Sequence, residues 1–201
     1  PVDNLFFRQR KLGSQFNVGL TRSESDGELK ITHAFSHTNL TGIDESNPFN
    51  EFGLAASRQR QALSRSFQLP GRNFLVELSH SETRADNTGL FSHRESDNAG
   101  LIACENSFGK NSGINAVFRF DDPQNHSGVC SGNLALKHTV KELDFDMSWG
   151  RAFRMPALNE RYYPAYGDPD LDPEFSTSRS LSVGRRIGGI GRISAGLSQY
   201  D

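Results

Sequence analysis

The sequence predicts an all-β fold, an antiparallel meander of long hairpins, and three observations carry the prediction. Apolar and polar residues alternate with a period of two in segment after segment, the links between segments are alternately short and long, and no apolar run approaches the roughly 18 residues of a spanning helix. The third observation excludes a helical membrane protein; the first two predict long strands joined neighbour to neighbour.

Taken in chain order, "QFNVGLT" sets Phe16, Val18 and Leu20 on one face against Gln15, Asn17 and Thr21. "ELKITHAF" does the same with Leu29, Ile31 and Phe35, and "NFLVELSH" with Phe74, Val76 and Leu78. "NAVFRFD" contributes Ala116, Phe118 and Phe120; "NLALKHTV" contributes Leu134, Leu136 and Val140; "ELDFDMSWG" contributes Leu143, Phe145, Met147 and Trp149. "SRSLSVG" and "RISAGLSQY" repeat the pattern more weakly, and with the segments that the links below mark off the chain holds about ten candidate strands. Several reach about ten residues, beyond the usual five or six of globular sheets.

The links explain the length. Short ones are expected at Asp26-Gly27, Pro70-Gly71, Gly109 to Gly113, Lys141-Glu142 and Gly188-Gly189, where Asp-Gly, Gly-Gly and Pro-Gly suit tight turns. Long ones are expected from Thr41 to Asn50, Glu82 to Asp97 and Arg154 to Ser176, with a medium one from Asp122 to Gly128. Tight turns at one end and long polar loops at the other are the plan of an outer-membrane barrel, whose strands need about 9 to 11 residues to cross a bilayer at a tilt. The chain is therefore expected to form part of a large transmembrane β-barrel in contact with the lipid bilayer.

Composition agrees. Only 35% of residues are hydrophobic and mean hydropathy is −0.58, thin for a packed globule, yet 15 Phe and 19 Gly set the chain apart from a disordered one. A barrel wall needs only its lipid-facing half to be apolar. On that plan Lys30, Glu77, Arg119, Asp121, Lys137, Asp144 and Asp146 face the lumen. With 22 basic and 24 acidic residues, and no stretch that gathers the basic ones, a nucleic-acid partner is not expected.

One stretch is unlike the rest: "SWGRAFRMPALNERYYPAYGDPDLDPE", from Ser148 to Glu174, holds four of the eight prolines and three of the four tyrosines. Proline cannot donate to a strand ladder, so this segment must leave the sheet, and its fixed φ stiffens the excursion. Phe153, Arg154 and Pro156 match an "FRAP" element; Leu158, Asn159, Glu160 and Tyr162 match "LNELY"; Asp168, Pro169, Leu171, Pro173 and Glu174 match "NPxLxPE". In this order the elements resemble those of TonB-dependent outer-membrane receptors. Met155, Arg161, Asp168, Phe175 and Leu181 depart from the pattern.

The resemblance implies a barrel segment spanning residues 1–201, from the middle or later part of a wall of about 22 strands, with the plug domain and barrel ends lying elsewhere. It implies import of a scarce nutrient, a ferric siderophore or a cobalamin-like compound, with the TonB system engaged through the plug, and no bond made or broken. Candidate ligand contacts are Arg154, Arg161, Tyr162, Tyr163 and Tyr166, although the tyrosines equally suit packing or an interfacial girdle.

Other features carry less. Asp168, Asp170, Asp172 and Glu174 alternate, but the central Gly and twelve-residue frame of a calcium loop are missing. The histidines lack zinc-enzyme spacing, and no nucleophile or phosphate motif or cofactor fingerprint is present, so neither an enzyme nor a cofactor is expected. Cys104 and Cys130 should have a strand between them, too far for a direct bridge. The alternative reading is a soluble antiparallel β-sandwich binding module, which alternates in the same way but gives no reason for links that alternate in length.

Overall fold

The computed structural model describes residues 7–44, 52–87, 89–164, 166–187 and 191–201. Ten strands form one sheet in which each pairs, antiparallel, with its neighbours in sequence: β1 (Phe7–Glu24), β2 (Gly27–Asp44), β3 (Phe52–Leu69), β4 (Arg72–Asn87), β5 (Phe91–Phe108), β6 (Ser112–Pro123), β7 (Val129–Val140), β8 (Leu143–Arg154), β9 (Glu174–Ile187) and β10 (Gly191–Tyr200). A five-residue helix, α1 (Leu158–Tyr162), interrupts the link between β8 and β9.

The alternation read from the sequence becomes two unlike faces. Phe16, Val18, Leu20, Ile31, Leu78, Phe118, Phe120, Leu136, Met147, Trp149, Leu181 and Leu197 share one face, and all stand more than a third exposed. A soluble sandwich would cover these side chains with a second sheet; among the described residues there is one sheet. On the other face Ala62, Ala99, Ser81, Asp121 and Asp144 are buried although, among the described residues, no second sheet covers them, as happens on the inside of a curved sheet.

Lys30, Glu77, Arg119, Asp121, Lys137, Asp144 and Asp146 all lie on this inner face. Several are paired there: Arg60 Nη2 lies 2.5 Å from Glu77 Oε1, Arg119 binds Asp121 through two nitrogens, and Arg192 Nη2 lies 3.5 Å from Asp144.

The short turns stagger regularly. Gly27, which closes the first turn, is in register with Phe67, and β3 runs two residues further, to Leu69, before turning. Arg72 is in register with Asn106 and β5 runs on to Phe108; Ser112 faces His138 and β7 runs on to Val140; Leu143 faces Arg185 and β9 runs on to Ile187. Each hairpin is thus displaced by the same two residues, the constant offset of strands tilted against a barrel axis.

Corrections concern lengths. The link expected from Glu82 to Asp97 is mostly strand: β4 continues to Asn87 and β5 begins at Phe91, so Thr83↔Glu95 and Ala85↔His93 are ladder pairs. Alternation fails there because neither face is apolar, yet cross-strand hydrogen bonding continues. The strands run 10 to 18 residues, where crossing a bilayer needs about 9 to 11, so β1 to β5 rise well above it. β2 continues to Asp44, and the rest of the expected Thr41 to Asn50 link lies outside the described residues, as does Gly188-Gly189. Cys104 on β5 and Cys130 on β7 are separated by β6, and both are free thiols.

Candidate functional site

The link between β8 and β9 is built from its ends inward. Arg154 and Glu174, the last residue of β8 and the first of β9, are in register, and Arg154 donates to both Glu174 oxygens at 2.9 and 3.0 Å. The same guanidinium reaches Glu160 at 3.2 Å. Glu160 Oε2 also accepts the Ala157 N–H at 2.7 Å, capping α1 from within because Ala157 has no side-chain acceptor. Arg154 thereby pins the end of one strand, the start of the helix and the start of the next strand. Both glutamates are held below their ordinary pKa, Glu174 by the Arg154 hydrogen bonds and Glu160 by the Ala157 N–H and then Arg154.

The helix is then bolted to the tall β4–β5 hairpin. Arg161, only 1% exposed, places Nη1 2.5 Å from Glu95 Oε1 and donates Nε and Nη2 to the Pro169 carbonyl, each at 3.2 Å. Tyr162 donates its hydroxyl to Glu95 at 2.9 Å and stacks on His93 with ring centroids 3.4 Å apart. Asn125, from the β6–β7 link, donates to the same Glu95 oxygen at 3.0 Å. Burial alone would raise the Glu95 pKa, but donors from Asn125 and Tyr162 and the Arg161 charge outweigh it, and the net shift is downward.

Phe91, His93 and Glu95 share a face of β5 with Asp97 and Ala99, so the link folds inward over the sheet's inner side. Tyr163 meets Phe91 edge-on at 6.2 Å and stacks on Tyr166 at 4.3 Å.

The candidate contacts fall into three neighbouring groups with unequal access: Arg154 on its two glutamates, Arg161 and Tyr162 on Glu95, and Tyr163 stacked on Tyr166. Arg161 is enclosed, Tyr162 and Tyr163 are partly covered, and Tyr166 is 70% exposed. Pro156 and Leu158 are buried under the link, Pro169 and Leu171 are exposed, and Phe153 pairs in register with Phe175. Asn159 accepts the Tyr163 N–H at the helix end. Asp168 Oδ1 accepts the Asp170 N–H at 3.0 Å, a local turn that Pro169 and Pro173 stiffen. Among the described residues no group of three or more His, Cys, Asp or Glu could hold a metal ion.

Glu95, His93 and Asn125 escaped the sequence reading. Glu95 lies 66 residues from Arg161, and no linear spacing links them.

A single sheet of long, regularly staggered hairpins, apolar outside and polar inside, with a stiffened link folded over one mouth, defines the wall of a transmembrane β-barrel. The family model described as TonB dependent receptor-like, beta-barrel, matches residues 3–200, and the chain belongs to that family. The vitamin B12 transporter BtuB of Vibrio cholerae is 36% identical over 78 residues, 38% of this chain and 13% of that protein. Among solved structures, the siderophore receptor PirA from Pseudomonas aeruginosa superposes with a TM-score of 0.78 at 14% identity, covering 98% of this chain and 40% of that one. A double mutant of the ferric enterobactin receptor PfeA from the same organism gives 0.80 at 14% identity over 96% and 34%. The aligned part of the chain thus covers about an eighth of the curated relative and well under half of each solved receptor.

Proposed function

We propose that this chain is wall and extracellular loop of a larger TonB-dependent receptor of the bacterial outer membrane, one that captures a scarce nutrient such as a ferric siderophore or cobalamin. The family match along nearly the whole chain carries the reading. Residues 1–201 contribute ten barrel strands, while the plug domain, the remaining strands and the contact with TonB belong to other parts of the receptor.

In this reading the β8–β9 link is a pre-shaped element of the ligand mouth. Arg154 and Arg161 fix its form, and Tyr162 and Tyr163 pack it against β5. Tyr166 and the outer edge of Tyr163 present rigid aromatic surface to the incoming nutrient, at little entropic cost because the ring stack is already formed. The chain performs no chemistry on the ligand.

The test is binding by the receptor polypeptide that contains residues 1–201, reconstituted in lipid vesicles, with ferric catecholate, ferric hydroxamate and cobalamin as probes and intrinsic fluorescence as readout. Saturable binding of one probe, weakened about tenfold by Tyr166→Ala, is the expected result. A polypeptide that stays monomeric in water without detergent and ignores vesicles would overturn the reading in favour of a soluble β-sandwich.

A further inference from the structure

Beneath the β8–β9 link, the inner face of β3 to β6 leaves a cavity of about 300 Å³. Met155, Pro156 and Leu158 of the link roof it, and Arg58, Ser81, Asp97 and Asp121 line the wall below. Asp97 is in register with Pro123, so Asp121, two residues back on β6, is its diagonal neighbour on the same face. The wall therefore sets two carboxyl groups side by side.

Their surroundings treat them unequally. Asp121 is only 4% exposed and is matched by Arg119, which donates Nε to Oδ2 at 2.8 Å and Nη2 to Oδ1 at 2.5 Å. Asp97 lacks such a match: its Oδ1 is sealed from solvent and meets no donor among the described residues, although its side chain lies within hydrogen-bond reach of Asp121. Two ionised carboxylates cannot form that bond, whereas a carboxyl and a carboxylate can. The other charges facing the pair are engaged: Arg60 with Glu77 at 2.5 Å, Glu95 with Arg161, and Arg58 with Ser81 Oγ at 3.5 Å. The roof residues carry no charge. Residues 98–108 of β5 already fill the about 9 to 11 that cross a bilayer, so Asp97 stands above it. Burial first, and then the Asp121 charge, raise the Asp97 pKa against the pull of Arg119 and Arg58.

We propose that Asp97 and Asp121 share one proton at neutral pH, carried by Asp97 and donated to Asp121. The proton gives the sealed carboxyl its hydrogen bond and leaves Asp121 ionised against Arg119. It also sets the charge of the wall under the mouth, because Arg58, Arg60 and Arg119 then face only Glu77 and Asp121. A carboxyl whose folded pKa is raised gives stability that is greatest below the unfolded value near 3.9 and is lost as pH rises toward the folded one. Since the two residues sit on adjacent paired strands, lifting the link does not part them; unfolding of the wall does.

The inference does not depend on which nutrient the mouth receives. Its test uses the receptor polypeptide that contains residues 1–201, reconstituted in vesicles and examined by infrared spectroscopy for a protonated-carboxyl stretch. The expected result is a band at neutral pH that fades as pH is raised and is absent from Asp97→Asn, whose amide has the shape of the protonated acid. Asp121→Asn should lose the band as well, because Asp97 then ionises against the released Arg119. In urea titrations between about pH 4 and 7 the folding constant of the parent should fall, relative to that of Asp97→Asn, by up to about tenfold per pH unit, the slope of one proton. No band that Asp97→Asn removes, or parent and variant with equal pH slopes, overturns the proposal. A band that survives Asp121→Asn overturns the sharing, since burial alone would then hold the proton.

Discussion

Glu95 is the residue on which the attachment of the β8–β9 link turns, because one of its oxygens accepts from Arg161, Tyr162 and Asn125 at once. Removing it leaves the Arg161 guanidinium enclosed with no opposing charge, the costly half of a broken buried pair. Glu95→Gln, which keeps an acceptor but loses the charge, is expected to loosen the β8–β9 link by about 1.5–3 kcal/mol. Amide exchange of residues 158–169 in the vesicle-inserted receptor measures this, and unchanged exchange would refute the anchoring role. The pH dependence has a fixed sign. A carboxyl whose folded pKa is depressed contributes stability that is complete above the unfolded value near 4.3 and is lost as pH falls through the folded one. Exchange in the link should therefore be flat from pH 7 to about 5 and accelerate below about 4, and in the Gln variant that acid step should shrink.

At the scale of the element, the turns explain both what the sequence reveals and what it hides. Gly27 has φ +153°, and a Cβ there would come within 2.0 Å of the Ser66 carbonyl oxygen on the neighbouring strand. Gly27→Ala is expected to cost at least about 2 kcal/mol, read as a lower urea midpoint for folding into vesicles. Gly89, with nothing within 4 Å of its Cβ position but φ +73°, should lose less. Such turns were legible because their chemistry is local. For β3 and β5 only the links on either side pointed to a strand, since "AASRQR" and "SHRESD" present no apolar face where they stand above the membrane. Their strand character comes from partners across the ladder, which a period cannot report. The motif of the β8–β9 link identified the family, yet it could not show that Arg161 turns inward, because the residue it meets sits in what read as a loop.

For the whole molecule, the outward apolar face is the property that separates a barrel wall from a sandwich. Met147 stands 52% exposed in a row with Leu136 and Leu181. Met147→Arg is expected to destabilise folding into bilayers by about 2–3 kcal/mol, while the inward Ser148→Arg, on the wet side, costs far less. Equal costs at the two sites would contradict the assignment of faces. Lipid contact also accounts for the low hydropathy, since half of every strand is free to be polar.

The constant two-residue offset between hairpins has a bearing on how such a wall can change over evolutionary time. Losing one residue inside any strand would reverse the sidedness of everything up to the next turn, presenting its polar side chains to fatty acyl chains. Losing two keeps sidedness but breaks the helical pitch on which neighbouring strands align. Length variation is therefore expected to concentrate at the outer tips of the hairpins, where receptors of this kind are free to change what they recognise while the wall beneath keeps its geometry.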